Sequence, residues 1–171
     1  MISSIYHSYR RRAGDIHRIE GSMRISARAD YAIRALVELA ADSEAPLSCE
    51  GIALSQDIPY RFLKAILGDL RRTGLVRSQR GCEGGYWLGR AAADISLADV
   101  VNSVDGGLMN VHGESPAQGY PEPAQRVATV WEAIRVRTEE ILAGVTVEDL
   151  LTDDPRESAA ILLMLRDAAN V

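Results

Sequence analysis

Basic side chains are concentrated in residues 58–90, where they could contact the phosphates and base edges of DNA. This segment has seven lysines and arginines against two acids, so its net charge is +5, whereas the whole 171-residue chain is at −5. The seven are Arg61, Lys64, Arg71, Arg72, Arg77, Arg80 and Arg90. A basic region on an acidic protein is typical of a protein that reads specific DNA, and it argues against one that coats nucleic acid or membranes.

Three helices and a hairpin are predicted to position these basic residues. Ser26 and Ser48 precede helical apolar patterns and are the expected N-caps of the first two helices. Pro59 suits the first position of a third helix, and Gly74 is its expected left-handed terminal residue. The third helix should bury Phe62, Leu63, Ile66, Leu67 and Leu70. Short strands at 75–76 and 86–88, joined by a glycine-rich turn, complete the order of a winged helix-turn-helix.

The first turns of the third helix carry the residues that could read bases. Pro59, Tyr60, Arg61 and Lys64 lie there, at the end of a recognition helix that enters the major groove. Arg61 could form a two-pronged hydrogen bond to guanine, which discriminates by about 1–3 kcal/mol. Arg71, Arg72 and Arg77 are candidates for phosphate contacts, although arginines at a helix C-terminus also stabilise the helix dipole. The alternative is that these charges form a solvated helix face.

The C-terminal half is acidic and helical. Residues 91–171 have five arginines against fourteen acids, a net charge of −9, so this half should face away from phosphate. Ser96 is the expected cap of a short helix at 97–104, and the Gly- and Pro-rich residues 105–123 are expected to form a loop. A long helix at 124–143 should carry one apolar face, predicted to be a dimer interface. Its residues are Val127, Val130, Trp131, Ile134, Ile141 and Leu142.

Several motifs together resemble the Rrf-two (Rrf2) family of bacterial transcription factors, which includes the iron–sulfur regulator IscR and the nitric-oxide sensor NsrR. They are Met23-Arg-Ile-Ser, Asp30-Tyr-Ala, Ile58-Pro-Tyr-Arg-Phe-Leu, Gly74-Leu-Val, Ser78-Gln-Arg-Gly, Gly84-Gly-Tyr and Ile95-Ser-Leu-Ala-Asp-Val-Val. The resemblance covers roughly Met23 to Leu151. It implies a homodimer with a winged helix-turn-helix and a long crossed dimerisation helix. In many members, three cysteines in the loop before that helix bind an iron–sulfur cluster.

The resemblance also implies a role for the turn between the two strands. In the family an arginine at the position of Arg80 enters the minor groove, and narrow A·T tracts favour such insertion. Gly81, Gly84 and Gly85 would permit positive φ and close approach of the backbone. The alternative is an ordinary hairpin turn with one exposed arginine.

The chain departs from the family at the cluster loop. Residues 105–123 contain no cysteine, and His112 is the only plausible ligand there. One imidazole cannot hold a cluster that normally needs four ligands, so we predict no cofactor and no metal site. Of the chain's two cysteines, Cys49 is expected in the first turn of a helix, which can lower a thiol pKa, and Cys82 on the wing. A thiol switch at either is one alternative; an incidental or buried cysteine is the other.

These observations predict a mostly α protein with a small β-hairpin, built as a winged helix-turn-helix domain plus a long dimerisation helix. We expect a cytoplasmic transcriptional repressor that binds double-stranded DNA at a palindromic operator as a homodimer, with no membrane partner and an unidentified small-molecule effector left open. No catalytic set is visible; a winged helix used for protein–protein contact is the alternative. The expected units are an arm or mis-assigned start at 1–22, the DNA-binding domain at 23–93, a short helix and sensor-type loop at 94–123, the dimerisation helix at 124–145 and a helical tail at 146–171.

Overall fold

A computed structural model describes residues 25–42, 45–81, 84–107 and 120–151. The expected arm at 1–22, Cys82, His112 and most of the C-terminal tail lie outside the described residues. The helices are α1 (Ala27–Ala41), α2 (Cys49–Ser55), α3 (Tyr60–Arg72), α4 (Leu97–Asp105) and α5 (Arg126–Ala143). The strands are β1 (Val76–Gln79) and β2 (Gly85–Leu88), and short 3₁₀ turns cover Ala92–Asp94 and Glu148–Leu150. The predicted fold class is confirmed: a helical protein with one small hairpin.

Serine caps begin three of the helices where the sequence placed them. The Oγ of Ser26 accepts a hydrogen bond from the Ala29 amide at 2.9 Å, and the Oγ of Ser48 accepts one from the Gly51 amide at 2.9 Å. Ser96 forms a capping box with Asp99, in which each side chain accepts from the other's backbone N–H. These bonds satisfy amides that have no partner inside the helix, so each helix start is fixed locally.

The recognition helix ends at a glycine in the left-handed region. Gly74 follows the Thr73 cap with φ +77°, and the Leu75 amide donates to the Leu70 carbonyl at 2.9 Å. Such a turn satisfies the last helical carbonyls and suits a residue without Cβ. It directs the chain into β1, so Gly74 sets the position of the wing relative to α3.

The hairpin is antiparallel, with Arg77 opposite Trp87 and Ser78 opposite Tyr86. Its first strand begins at Val76 and reaches Gln79, three residues beyond the predicted end at Val76, because backbone pairing continues to the glycine turn. Leu47, before α2, also pairs with Tyr86: the two residues exchange amide hydrogen bonds of 2.9 and 3.1 Å. This additional bridge, which the sequence did not reveal, ties the wing to the start of the helix-turn-helix.

One apolar core lies beneath the three N-terminal helices and the hairpin. Its larger members are Leu36, Leu39, Ile52, Leu63, Ile66, Leu67, Leu70, Leu75, Val76, Ile95, Val100 and Val147. The expected stripe of α3 is confirmed except at Phe62, which is 59% exposed. The prediction that Phe62 is buried was wrong because it lies about 100° from Leu63 around the helix, at the edge of the face that packs against α1 and α2.

The long helix is joined to the domain at both ends of the described chain. The helix α4 ends at Gly106 with φ +71°, and α5 begins at Arg126, two residues later than predicted. Beyond α5, the Leu97 amide donates to the Val145 carbonyl at 2.8 Å and the Val147 amide to the Ile95 carbonyl at 2.9 Å. Within the described ranges, no helix combines the length and apolar character needed to cross a bilayer.

Candidate DNA-binding surface

The start of α3 is a polar, solvent-facing surface. Pro59, Tyr60, Arg61 and Lys64 are all exposed, while Leu63 on the same two turns is fully buried. The buried stripe therefore fixes the orientation of the helix, and the four predicted base-reading residues lie away from the core. This placement is consistent with their predicted role; contact with DNA itself stays a prediction.

Glu50 in α2 contacts this surface and was not predicted. A hydrogen bond to the Glu50 carboxylate raises the pKa of Tyr60, and the negative charge of Glu50 acts in the same direction. Tyr60 is therefore a neutral phenol whose hydroxyl is directed toward α2. Only the packing of α2 against α3 brings these residues together, so a sequence pattern within either helix could not have found the pair.

The two arginines at the end of α3 have different environments. The Nη1 of Arg71 donates to the Ser78 hydroxyl of β1 at 3.3 Å, so Arg71 lies between the recognition helix and the wing. Arg72 is paired with Asp69, which also accepts from Arg28 of α1. Arg71 thus keeps its charge uncompensated by a carboxylate in the described chain, whereas the charge of Arg72 is partly neutralised.

The wing turn depends on its glycines for two separate reasons. Arg80 is exposed at the end of β1, and Gly81 follows with φ +123°, which disfavours any residue with a Cβ. A Cβ on Gly84 would lie 2.4 Å from the Gln79 carbonyl oxygen, and one on Gly85 would lie 2.8 Å from the Leu47 carbonyl oxygen. Positive φ thus applies to Gly81, while close backbone approach applies to Gly84 and Gly85.

Ion pairing separates the basic residues of the described chain into two groups. Those with an acidic partner are Arg28, Arg34, Arg72, Arg90, Arg135 and Arg137. Those without one among the described residues are Arg61, Lys64, Arg71, Arg77, Arg80 and Arg126. All but Arg126 lie on α3 or the wing. Positive charge available for phosphate is therefore concentrated on one part of the protein.

The predicted interface residues lie along α5, which has no buried residue. Val127, Val130 and Ile134 are exposed, and Trp131, Ile141 and Leu142 are half-buried. Val136, on the opposite side of the helix, is also exposed and was not predicted. The polar side is organised by Arg135, which donates to Glu132 and Glu139 and lowers the pKa of Glu132. The apolar residues of α5 are thus available to a second surface.

Cys49 does not have the properties of a reactive thiol. It is only 7% exposed and packs in the core at the start of α2. Burial raises its pKa, with a further contribution from the charge of Glu50, while Lys64 acts weakly in the opposite direction. The expectation that the helix start would lower this pKa was wrong, because desolvation of the thiolate outweighs the helix dipole.

Comparisons with known proteins identify the family. The model of the Rrf2 family, described as iron-dependent transcriptional regulators, matches residues 25–153. The chain belongs to the Rrf2 family. It is 42% identical over 133 residues to a Mycobacterium tuberculosis protein named only as a candidate HTH-type transcriptional regulator, covering 75% of this chain and 81% of that protein. It is 32% identical over 146 residues to CymR of Bacillus subtilis, covering 84% of this chain and all of CymR.

Solved structures agree with this assignment. The structure of CymR, the global cysteine regulator of B. subtilis, has a TM-score of 0.61 at 32% identity and covers 76% of this chain and 98% of that one. The IscR of T. potens has a TM-score of 0.60 at 29% identity, covering 76% and 87%. This Rrf2 protein is therefore a helix-turn-helix DNA-binding transcriptional regulator and not an enzyme.

The donor set of this Rrf2 protein does not fit an iron–sulfur cluster. Cluster iron needs several thiolates held close together. The loop that supplies them in the relatives named in the sequence analysis has no cysteine here. Cys49 is buried within the helix-turn-helix core, and the described residues contain no group of three His, Cys, Asp or Glu side chains with metal-site geometry.

Proposed function

We propose that this protein is a homodimeric repressor that binds a palindromic operator without an iron–sulfur cluster. The observation that supports DNA reading most directly is the charge distribution. The lysine and arginines of α3 and the wing have no acidic partner in the described chain, although the protein as a whole is acidic. Phosphate neutralisation is the main sequence-independent contribution to DNA affinity, and these residues supply it.

The proposed division of labour follows from position. Arg61, exposed in the first turn of α3, contacts a base edge in the major groove, with Lys64 one turn later on a base or a phosphate. Arg80 enters the minor groove beside the glycines of the wing. Arg71, held between α3 and β1 by Ser78, contacts the phosphate backbone. A wing used for protein contact would instead present apolar side chains at positions 61, 64 and 80.

The dimer is supported by the exposed apolar side of α5. Val130 is 56% exposed in the single chain, and Trp131, a residue type enriched at interface centres, lies beside it. A two-fold axis through α5 would present two recognition helices to half-sites about 34 Å apart, one turn of DNA. A dimer bound across a promoter would prevent polymerase from binding there, which is the basis for proposing repression.

The test begins with the genomic DNA fragments that the purified protein selects. Binding of one such duplex is then measured by fluorescence anisotropy for Arg61→Ala and Arg80→Ala. Arg61→Ala should cost about 1–3 kcal/mol and relax the preference at one base pair. Arg80→Ala should weaken binding chiefly when the flanking sequence is A·T-rich.

Arg137→Ala is the matched control, because it removes the same charge from an arginine that is paired with Glu140 at 2.8 Å on α5. It should leave DNA affinity nearly unchanged. If Arg61→Ala and Arg80→Ala bind as tightly as the wild type, the proposed surface is wrong. In vitro transcription from the selected promoter, with and without the protein, tests repression separately.

A further inference from the structure

The wing has an outer face formed by one arginine and one tryptophan. Arg77 of β1 lies directly opposite Trp87 of β2, and the guanidinium carbon of Arg77 is 5.7 Å from the centroid of the Trp87 ring. Side chains alternate along a strand, and Tyr86 and Leu88 pack against the core. Trp87 therefore lies on the opposite face of the hairpin, together with Arg77.

Arg77 has the features of a charge reserved for a ligand. It is exposed and, unlike Arg72 or Arg90, has no acidic partner in the described part of the chain. The only interaction recorded for its guanidinium is the stacking on Trp87. An arginine on an aromatic ring keeps all its N–H donors free at the edges, while the ring restricts its rotamers.

The position of Arg77 relative to Arg80 indicates which ligand this is. Three residues of strand separate them, about 10 Å at 3.3 Å per residue. The minor groove is only about 7.5 Å deep. When the turn at Arg80 is inserted, Arg77 is left at the rim of the groove, where the phosphates of the backbone lie.

We propose that Trp87 is a positioning residue, which holds Arg77 on the outer face of the wing for contact with a DNA phosphate at the edge of the minor groove. The proposal rests on the proposed function, since it assumes that the wing binds DNA. The contact carries no sequence information, so it adds affinity that depends on salt and not on the bases. Trp87 contributes by limiting the conformations that the free arginine would otherwise sample.

The experiment is a double-mutant cycle of Arg77→Ala and Trp87→Leu, with DNA affinity measured over a range of salt concentrations. Arg77→Ala should reduce the slope of log affinity against log salt by about 0.9, the value for one lost phosphate contact. Trp87→Leu should weaken binding about two- to fivefold, as expected for the loss of an exposed cation–π contact. In the Arg77→Ala background, Trp87→Leu should have no further effect.

The control is a second arginine–aromatic pair with the same geometry. Arg34 lies 5.7 Å from the ring centroid of Tyr31 on α1, but Arg34 is also paired with Asp30. Tyr31→Leu should leave both affinity and salt slope unchanged. Trp87→Phe serves if Trp87→Leu fails to fold, since a phenyl ring preserves packing but stacks less well on arginine; it should cause a loss of about twofold that disappears with Arg77→Ala.

Two outcomes would overturn the proposal. One is an unchanged salt slope in Arg77→Ala. The other is a loss of affinity on replacing Trp87 that is equally large with and without Arg77, since the tryptophan would then act through the fold or by its own contact. Failure here is distinguishable from failure of the proposed function: if Arg61→Ala and Arg80→Ala still weaken binding, the wing binds DNA and only the role of Trp87 is wrong.

Discussion

Replacing Ile134 on α5 with aspartate should convert the proposed dimer to a monomer. Ile134 lies in the middle of the apolar face of α5 and is 37% exposed in the single chain. Val136 is also 37% exposed, but two residues along a helix turn by about 200°, so it lies on nearly the opposite side. Val136→Asp introduces the same charge with the same exposure and is therefore the matched control.

The expected magnitude follows from burial. Complete burial of an isoleucine stabilises by about 1.5–3 kcal/mol, so covering the remaining third contributes about 0.5–1 kcal/mol per subunit. A two-fold interface contains the position twice. The larger contribution is the desolvation of two carboxylates, which costs several kcal/mol each when no partner charge is present. Together these costs exceed about 4 kcal/mol, which corresponds to at least a thousandfold weaker dimer.

Analytical ultracentrifugation at micromolar concentration measures this directly. Wild type and Val136→Asp should sediment as dimers and Ile134→Asp as a monomer, with circular dichroism verifying that all three are helical. If Ile134→Asp remains a dimer, the interface lies elsewhere. If Val136→Asp alone dissociates, α5 associates through the side that the sequence did not predict.

Three further outcomes are expected. Protein purified without oxygen should be colourless and free of stoichiometric iron, because residues 105–123 contain no cysteine; visible absorbance that is lost in Cys82→Ser would contradict this. In Cys82→Ser protein at pH 7, Cys49 should react with a thiol reagent at least about ten times more slowly than in the urea-unfolded chain, since burial raises its pKa and blocks access; equal rates would show that the site opens readily. Gly84→Ala should lower the free energy of unfolding by about 1–3 kcal/mol and weaken DNA binding, because its Cβ would meet the backbone of residues 79–81. Gly68→Ala on α3, where the added Cβ has nothing within 4 Å, should instead leave the melting temperature unchanged or raise it, and a Gly84→Ala protein that melts like wild type would show that the turn can shift.

Sequence alone determined the local elements of this protein. Ser26, Ser48 and Ser96 were identified as helix caps, and Gly74 as the left-handed end of α3, because each effect involves only neighbouring amides and carbonyls. Helical periodicity located the buried side of α3 for the same reason. Since charge is also read directly from residue types, the family and the basic surface could be predicted from the chain.

Tertiary structure decided everything that depends on pairs distant in sequence. Phe62 is exposed because the neighbouring helices cover only part of α3, and the pKa of Cys49 is raised because the core surrounds it. Glu50 reaches Tyr60 only through the packing of α2 on α3, and Arg28 reaches Asp69 only through that of α1 on α3. Arg77 meets Trp87 because the hairpin register places them opposite each other. Burial, desolvation and strand register are properties of the assembled fold, so no pattern within one segment contains them.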